Sequence, residues 1–156
     1  MNHKQASGFS LLETMLVLAL ISWLLFAATP SMSDLLQQFE IRVTTHRLLS
    51  GIRMARMLAV SYQADMVLCG HGRTAHWNKG WEIYDSSGAV LRRYPALNAQ
   101  LSMSWRGGFG AKSCLLFRSE GFTPGHQGKF SIWSLNHHFH KQINVTRTGT
   151  ARLLES

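Results

Sequence analysis

From Phe9 to Thr29 the chain is apolar and carries one charge, Glu13, after a short polar leader that contains Lys4 and ends at Gly8. A helix of about 20 residues rises about 30 Å, the thickness of a bilayer's hydrocarbon core, so 9–29 is predicted to span a membrane. The apolar part of an ordinary secretory signal is shorter and ends in a small-residue cleavage site. An ionised carboxylate at the centre of a membrane helix costs roughly 2.5–3.5 kcal/mol on insertion scales. Glu13 therefore calls for a cationic partner, most simply on a neighbouring subunit.

Beyond the apolar run the pattern turns helical and amphipathic. Leu48, Ile52, Ala55, Ala59 and Tyr62 recur at spacings of 4, 3, 4 and 3, one face of a helix that continues from 30 to 64. Pro30 is expected to kink or interrupt it, because proline removes a hydrogen bond and clashes with the preceding turn. Arg42, His46, Arg53 and Arg56 share another face of the same helix. From Asp65 onward short β-prone runs alternate with turn residues: 66–69, 81–84, 89–94, 101–105, 114–117, 130–135 and 143–146. Asp85-Ser-Ser-Gly88 reads as a hairpin loop and Glu120–Gly125 as a second tight connection. The fold class is thus α+β: a long N-terminal helix packed on a mostly antiparallel β-sheet, with 65–156 forming one β-rich domain.

Charge changes this picture more than composition does. The chain carries a formal +8, with six Lys/Arg against five Asp/Glu from Ser31 to Asp85 and nine against two from Ser86 to Ser156. A surface of one sign attracts polyanions with an affinity that falls as salt rises. Two cysteines, Cys69 and Cys114, fit either a disulfide or two buried thiols. His138 and His140 would share one face of a strand, yet two histidines without a third ligand make a poor metal site, and they extend the basic surface instead. Most of the aromatic residues, Trp77, Trp81, Trp105 and Trp133 among them, are assigned to the core. Phe109 sits in the glycine-rich stretch Arg106–Gly110, which lacks the strand-to-helix context of a phosphate loop. No catalytic constellation or cofactor motif is present, and the chain is read as a non-enzyme.

The residues Gly8-Phe9-Ser-Leu-Leu-Glu13, with Lys4 before them and Pro30 after, resemble the class III signal of type IV prepilins and pseudopilins. That resemblance implies cleavage between Gly8 and Phe9 by a prepilin peptidase, N-methylation of Phe9, and pairing of Glu13 with the Phe amine of an adjacent subunit. It also implies an inner-membrane anchor with a periplasmic domain, built into a filament with other pilin subunits. Met54-Ala-Arg56, Val67-Leu-Cys69 and Gly80-Trp81 narrow the resemblance to the GspH/FimT family of minor pilins and pseudopilins. Transformation-linked members of that family bind DNA through Gly-Arg-x-Arg near the C-terminus. Here the stretch reads Arg147-Thr-Gly149-Thr150-Ala-Arg152, with Thr150 in place of the first arginine and Arg147 as a substitute cation. The implied DNA contacts are Arg147, Gly149, Arg152, Lys141 and His140, helped by Arg92 and Arg93. They would read phosphates rather than bases and so support uptake of arbitrary DNA in natural transformation. The alternatives are a type II secretion pseudopilin and a minor pilin that primes assembly without touching DNA.

Overall fold

The computed structural model describes residues 10–108, 113–136 and 138–154, with 27–31 described by backbone alone. Gly8 and Phe9, the loop around Phe109, and His137 lie outside the described residues. The chain divides into two units, one ending at Leu36 and the other running from Gln37.

One helix, α1 (Leu11–Tyr62), runs through both units. Its helical assignment passes Pro30 without a break, so the expected interruption does not occur. Every described side chain from Leu11 to Phe26 is exposed, Leu11 and Phe26 at 78% and 81%. A helix that is apolar on all sides needs lipid or other helices around it. Among the described residues no helix is long and apolar enough to cross a membrane. The span expected at 9–29 begins outside those residues and ends in the backbone-only stretch.

In the second unit α1 buries the stripe that its periodicity predicts: Leu48, Ile52, Ala55 and Ala59 are fully buried. Tyr62, the next residue of the series, is instead 67% exposed because the helix ends there. Gln63 takes a positive φ of 50°, and the Ala64 N–H donates to Ala59 O at 3.2 Å, a left-handed close of the last turn. Gly51 lets Trp81 approach the helix, since a Cβ there would lie 2.9 Å from Trp81 Nε1.

The strands are β1 (Met66–Gly70), β2 (Trp81–Tyr84), β3 (Val90–Tyr94), β4 (Leu101–Gly107), β5 (Cys114–Phe117), β6 (Gly128–Ser134), β7 (His140–Val145) and β8 (Ala151–Leu154). They form two four-stranded antiparallel sheets rather than one, in the orders β3-β2-β1-β5 and β4-β6-β7-β8. Both contribute to one core, Leu68, Ile83, Leu115 and Phe117 from the first sheet and Phe130, Ile132 and Ile143 from the second. Trp77 and Trp81 are buried in that core, and Trp105 packs against it. Cys69 and Cys114 stand directly opposite each other on β1 and β5 and are joined by a disulfide.

Candidate functional site

The second sheet has a buried face and an open one, and register decides which side chain belongs to which. Met103, Phe130, Ile132, Ile143 and Val145 fill the buried face. On the open face Arg106 pairs with Lys129, Lys129 with Asn144, and Asn144 with Arg152. Directly opposed residues point the same way, so these four make one row across β4, β6, β7 and β8. Three strand spacings of about 4.8 Å give the row a width of about 14 Å. A parallel row, Ser104, Ser131 and Gln142, adds neutral hydrogen-bonding groups beside it. Over this face runs an open groove of about 720 Å³, from Arg106 and Lys129 past Ser131, Gln142 and Asn144 to Arg147, with no acid among the described residues of its lining. Among the described residues none of Arg106, Lys129, Arg147 and Arg152 stands in an ion pair.

Arg147 enters the groove from the β7–β8 turn. That turn is closed by Thr146 N to Thr150 O and by Gly149 N to Thr146 O, both 2.9 Å. Thr150, the departure from the arginine motif, turns its hydroxyl back to the Thr146 hydroxyl at 2.6 Å and so belongs to the turn. Thr123 N donates to Arg147 O at 2.9 Å, tying the turn to the β5–β6 connection. Gly149 has φ 74°, and a Cβ on it would lie 2.1 Å from Gly121 O. Its part in the site is to shape the turn. Gly149→Ala is expected to cost about 2 kcal/mol of stability, combining a left-handed alanine with a displaced backbone contact. Urea unfolding checks this, and an unchanged midpoint would count against it.

At the β8 edge, outside that groove, Arg152 borders a second one of about 670 Å³ with Arg53, Arg56, Met57 and Val60. Arg53 and Arg56 from α1 thus share a surface with the C-terminal strand, although about a hundred residues separate them in sequence. Lys141 does not join the open face. It opposes Ile132, which is fully buried, and so projects on the α1 side, beside Arg42 and His46. His140 opposes Trp133 and so has the open-face parity of β7, at the margin of a cavity that Arg42 and His138 also border. Among the described residues no three His, Cys, Asp or Glu side chains gather closely enough to hold a metal ion.

Arg92 and Arg93 are not brought to this surface. Both lie on β3, the edge of the first sheet, where Arg92 sits 5.5 Å from the centre of the Tyr94 ring. The Arg93 Nε donates to Glu82 Oε1 at 2.5 Å. Glu82 is 2% exposed and also accepts from the Tyr84 hydroxyl and, at 3.2 Å, from the Gly72 N–H; His71 Nδ1 lies 3.2 Å away. Burial alone would raise its pKa, but the bonds from Tyr84, Gly72 and Arg93, with the Arg93 charge, lower it to about 2. The Tyr84 hydroxyl moves the other way, raised by burial and then by Glu82. Arg93 is therefore committed to holding a buried acid.

Sequence reading missed Arg106 and Lys129. The signal available was their placement at polar positions of alternating strands, but only the β4–β6 register sets them opposite each other. Glu13, in the first turn of α1, is exposed and has no ion-pair partner among the described residues.

Residues 44–149 match the family model for type II transport protein GspH. Among solved structures, the chain is similar to the type IV minor pilin FimU of Pseudomonas aeruginosa, with 21% identity and a TM-score of 0.63 over 76% of this chain and 91% of that one. It is also similar to the minor pseudopilin EpsH from the type 2 secretion system of Vibrio cholerae, with 13% identity and a TM-score of 0.57 over 74% and 96% of the two chains. No curated protein sequence matches it. At these identities the structures establish a shared fold, and the family model, covering most of the chain, establishes kinship: the chain belongs to the GspH family of minor pilins and pseudopilins.

Proposed function

We propose that this protein is a minor filament subunit of a bacterial type IV pilus whose open sheet face binds DNA without sequence preference. The reading begins with processing: a prepilin peptidase cuts after Gly8, Phe9 is methylated, and the apolar helix holds the subunit in the inner membrane with its β-rich domain in the periplasm. On assembly Glu13 pairs with the amine of a neighbouring subunit, which neutralises a carboxylate inside an apolar bundle. The role is structural and binding rather than catalytic.

The observation that carries the DNA assignment is the register row Arg106, Lys129, Asn144, Arg152, the first three of which line, with Arg147, a groove that has no acid among its described residues. Guanidinium groups bond phosphate oxygens in pairs, and an asparagine between cations adds a neutral donor. Duplex DNA carries one negative charge per about 1.7 Å of axis, so a row about 14 Å wide meets several phosphates at once. Such contacts position a duplex and carry no base information. The likeness to a type 2 secretion pseudopilin favours a second reading, in which the same face meets acidic neighbours in a secretion pseudopilus.

Fluorescence anisotropy of the full chain in neutral detergent, with a random-sequence duplex over a salt series, separates the two. The first reading expects affinity that falls steeply with salt. Replacing Arg106, Lys129 and Arg152 with Gln should then weaken binding at least tenfold and lower the log–log salt slope by about 2–3. Arg92→Gln with Arg93→Gln should leave the slope unchanged. No binding at 50 mM salt, or equal binding by the triple variant, overturns the DNA assignment and leaves the pseudopilus reading.

A further inference from the structure

On the α1 side of the second sheet, two adjoining cavities share Arg42 and Lys141. The larger, about 380 Å³, is also lined by Ile41, His138, Phe139 and His140. The smaller, about 300 Å³, adds Thr45, His46 and Leu153. Among the described residues no acidic side chain lines either. Arg42 and His46 stand one turn apart on α1, and the β7 register sends Lys141 toward them. Cations converging without a counter-ion repel one another, and an anion between them removes that cost.

The two cavities differ in character, and the difference indicates a ligand. One is walled by rings: Phe139 and His138 meet edge-on with centroids 6.5 Å apart, on a hairpin closed by Ser134 N to Phe139 O at 3.0 Å and Phe139 N to Ser134 Oγ at 3.2 Å. The other is walled by Arg42, His46 and Lys141. We propose that this pair of cavities is a second nucleic-acid site, separate from the open face, which takes one nucleotide of a single strand with its base against Phe139 and the His138 ring and its phosphodiester between Arg42, His46 and Lys141. Stacking of this kind tolerates any base. A duplex keeps its bases stacked inside and does not present one to such a pocket.

The charged groups facing the ligand are Arg42 from α1 and Lys141 from β7, with the imidazoles of His46 and His138 beside them; Leu153 from β8 is neutral.

Calorimetric titration of the full chain in neutral detergent with a thymidine dinucleotide, which has one phosphodiester, tests the proposal. Binding should fall at least tenfold in Arg42→Gln with Lys141→Gln and stay unchanged in Arg106→Gln with Lys129→Gln, so this site and the open face fail or stand separately. Dimethyl phosphate, a diester without a base, should bind more weakly than the dinucleotide. Equal affinity for the two overturns the nucleotide assignment, as does undetectable dinucleotide binding or binding indifferent to Arg42 and Lys141. Urea unfolding of each variant guards against loss of fold, and Phe139→Leu, which keeps an apolar side chain, should weaken only the dinucleotide.

Discussion

Replacing Cys69 and Cys114 together with Ala is expected to lower unfolding stability by about 4 kcal/mol, the entropy of an unfolded chain released from a closed loop of this length. The two cysteines lie 45 positions apart, and the loop between them takes in β2, β3 and β4. Topology concentrates the effect. Strand β5 is an edge strand of the first sheet, and its register there is the short run from Met66↔Phe117 to Cys69↔Cys114. Without the bond, that edge depends on four paired positions and on the burial of Leu115 and Phe117. Urea unfolding followed by tryptophan emission reads the loss through Trp77 and Trp81, both buried. Hydrogen exchange should show Leu115 to Phe117 opening before the strands of the second sheet. A double variant as stable as the parent would mean that packing alone holds β5. Reduction of the parent protein should reproduce the variant's midpoint.

The disulfide also shows how far the sequence was legible. Seven of the eight strands announce themselves through β-branched and aromatic runs between turn residues, and the buried stripe on α1 follows from its spacing. Strand β8 does not, because Ala151-Arg-Leu-Leu154 is short and reads as a charged tail. Nor does the split into two sheets, since β4 and β5 are consecutive in sequence yet pair in different sheets. The same non-local pairing hides the candidate site. Arg106 and Lys129 belong to different strands, and their juxtaposition exists only in the β4–β6 register. Arg92 and Arg93 look equivalent to the other cations until Glu82 is found beneath Arg93 and the Tyr94 ring beside Arg92. Lys141 looks like a partner of Arg147 and Arg152 until strand parity sends it to the other side. Composition located the excess charge in the second half of the chain, and pairing divides it among separate surfaces.

Glu82→Gln is expected to cost about 3 kcal/mol at neutral pH, although the substitution keeps the shape of the side chain. The carboxylate accepts from Tyr84, the Gly72 N–H and Arg93 at once, and the amide offers one acceptor oxygen to the same three donors. A folded pKa of about 2 against an ordinary 4.5 sets the scale, at about 1.4 kcal/mol per unit. Arg93 is 66% exposed, so salt screens its share, and the loss should shrink somewhat between low and high ionic strength. The sign with pH follows from the direction of the shift. A carboxyl whose folded pKa lies below its unfolded value stabilises the fold fully above about 4.5, and that contribution disappears as pH falls toward 2. Parent and Glu82→Gln proteins should therefore differ most at pH 6–7 and converge steadily between about pH 5 and pH 2. Arg93→Gln should reproduce only part of the difference, because Tyr84 and Gly72 still bond the acid. Parallel pH profiles with a constant gap would show that Glu82 acts through packing and not through its charge.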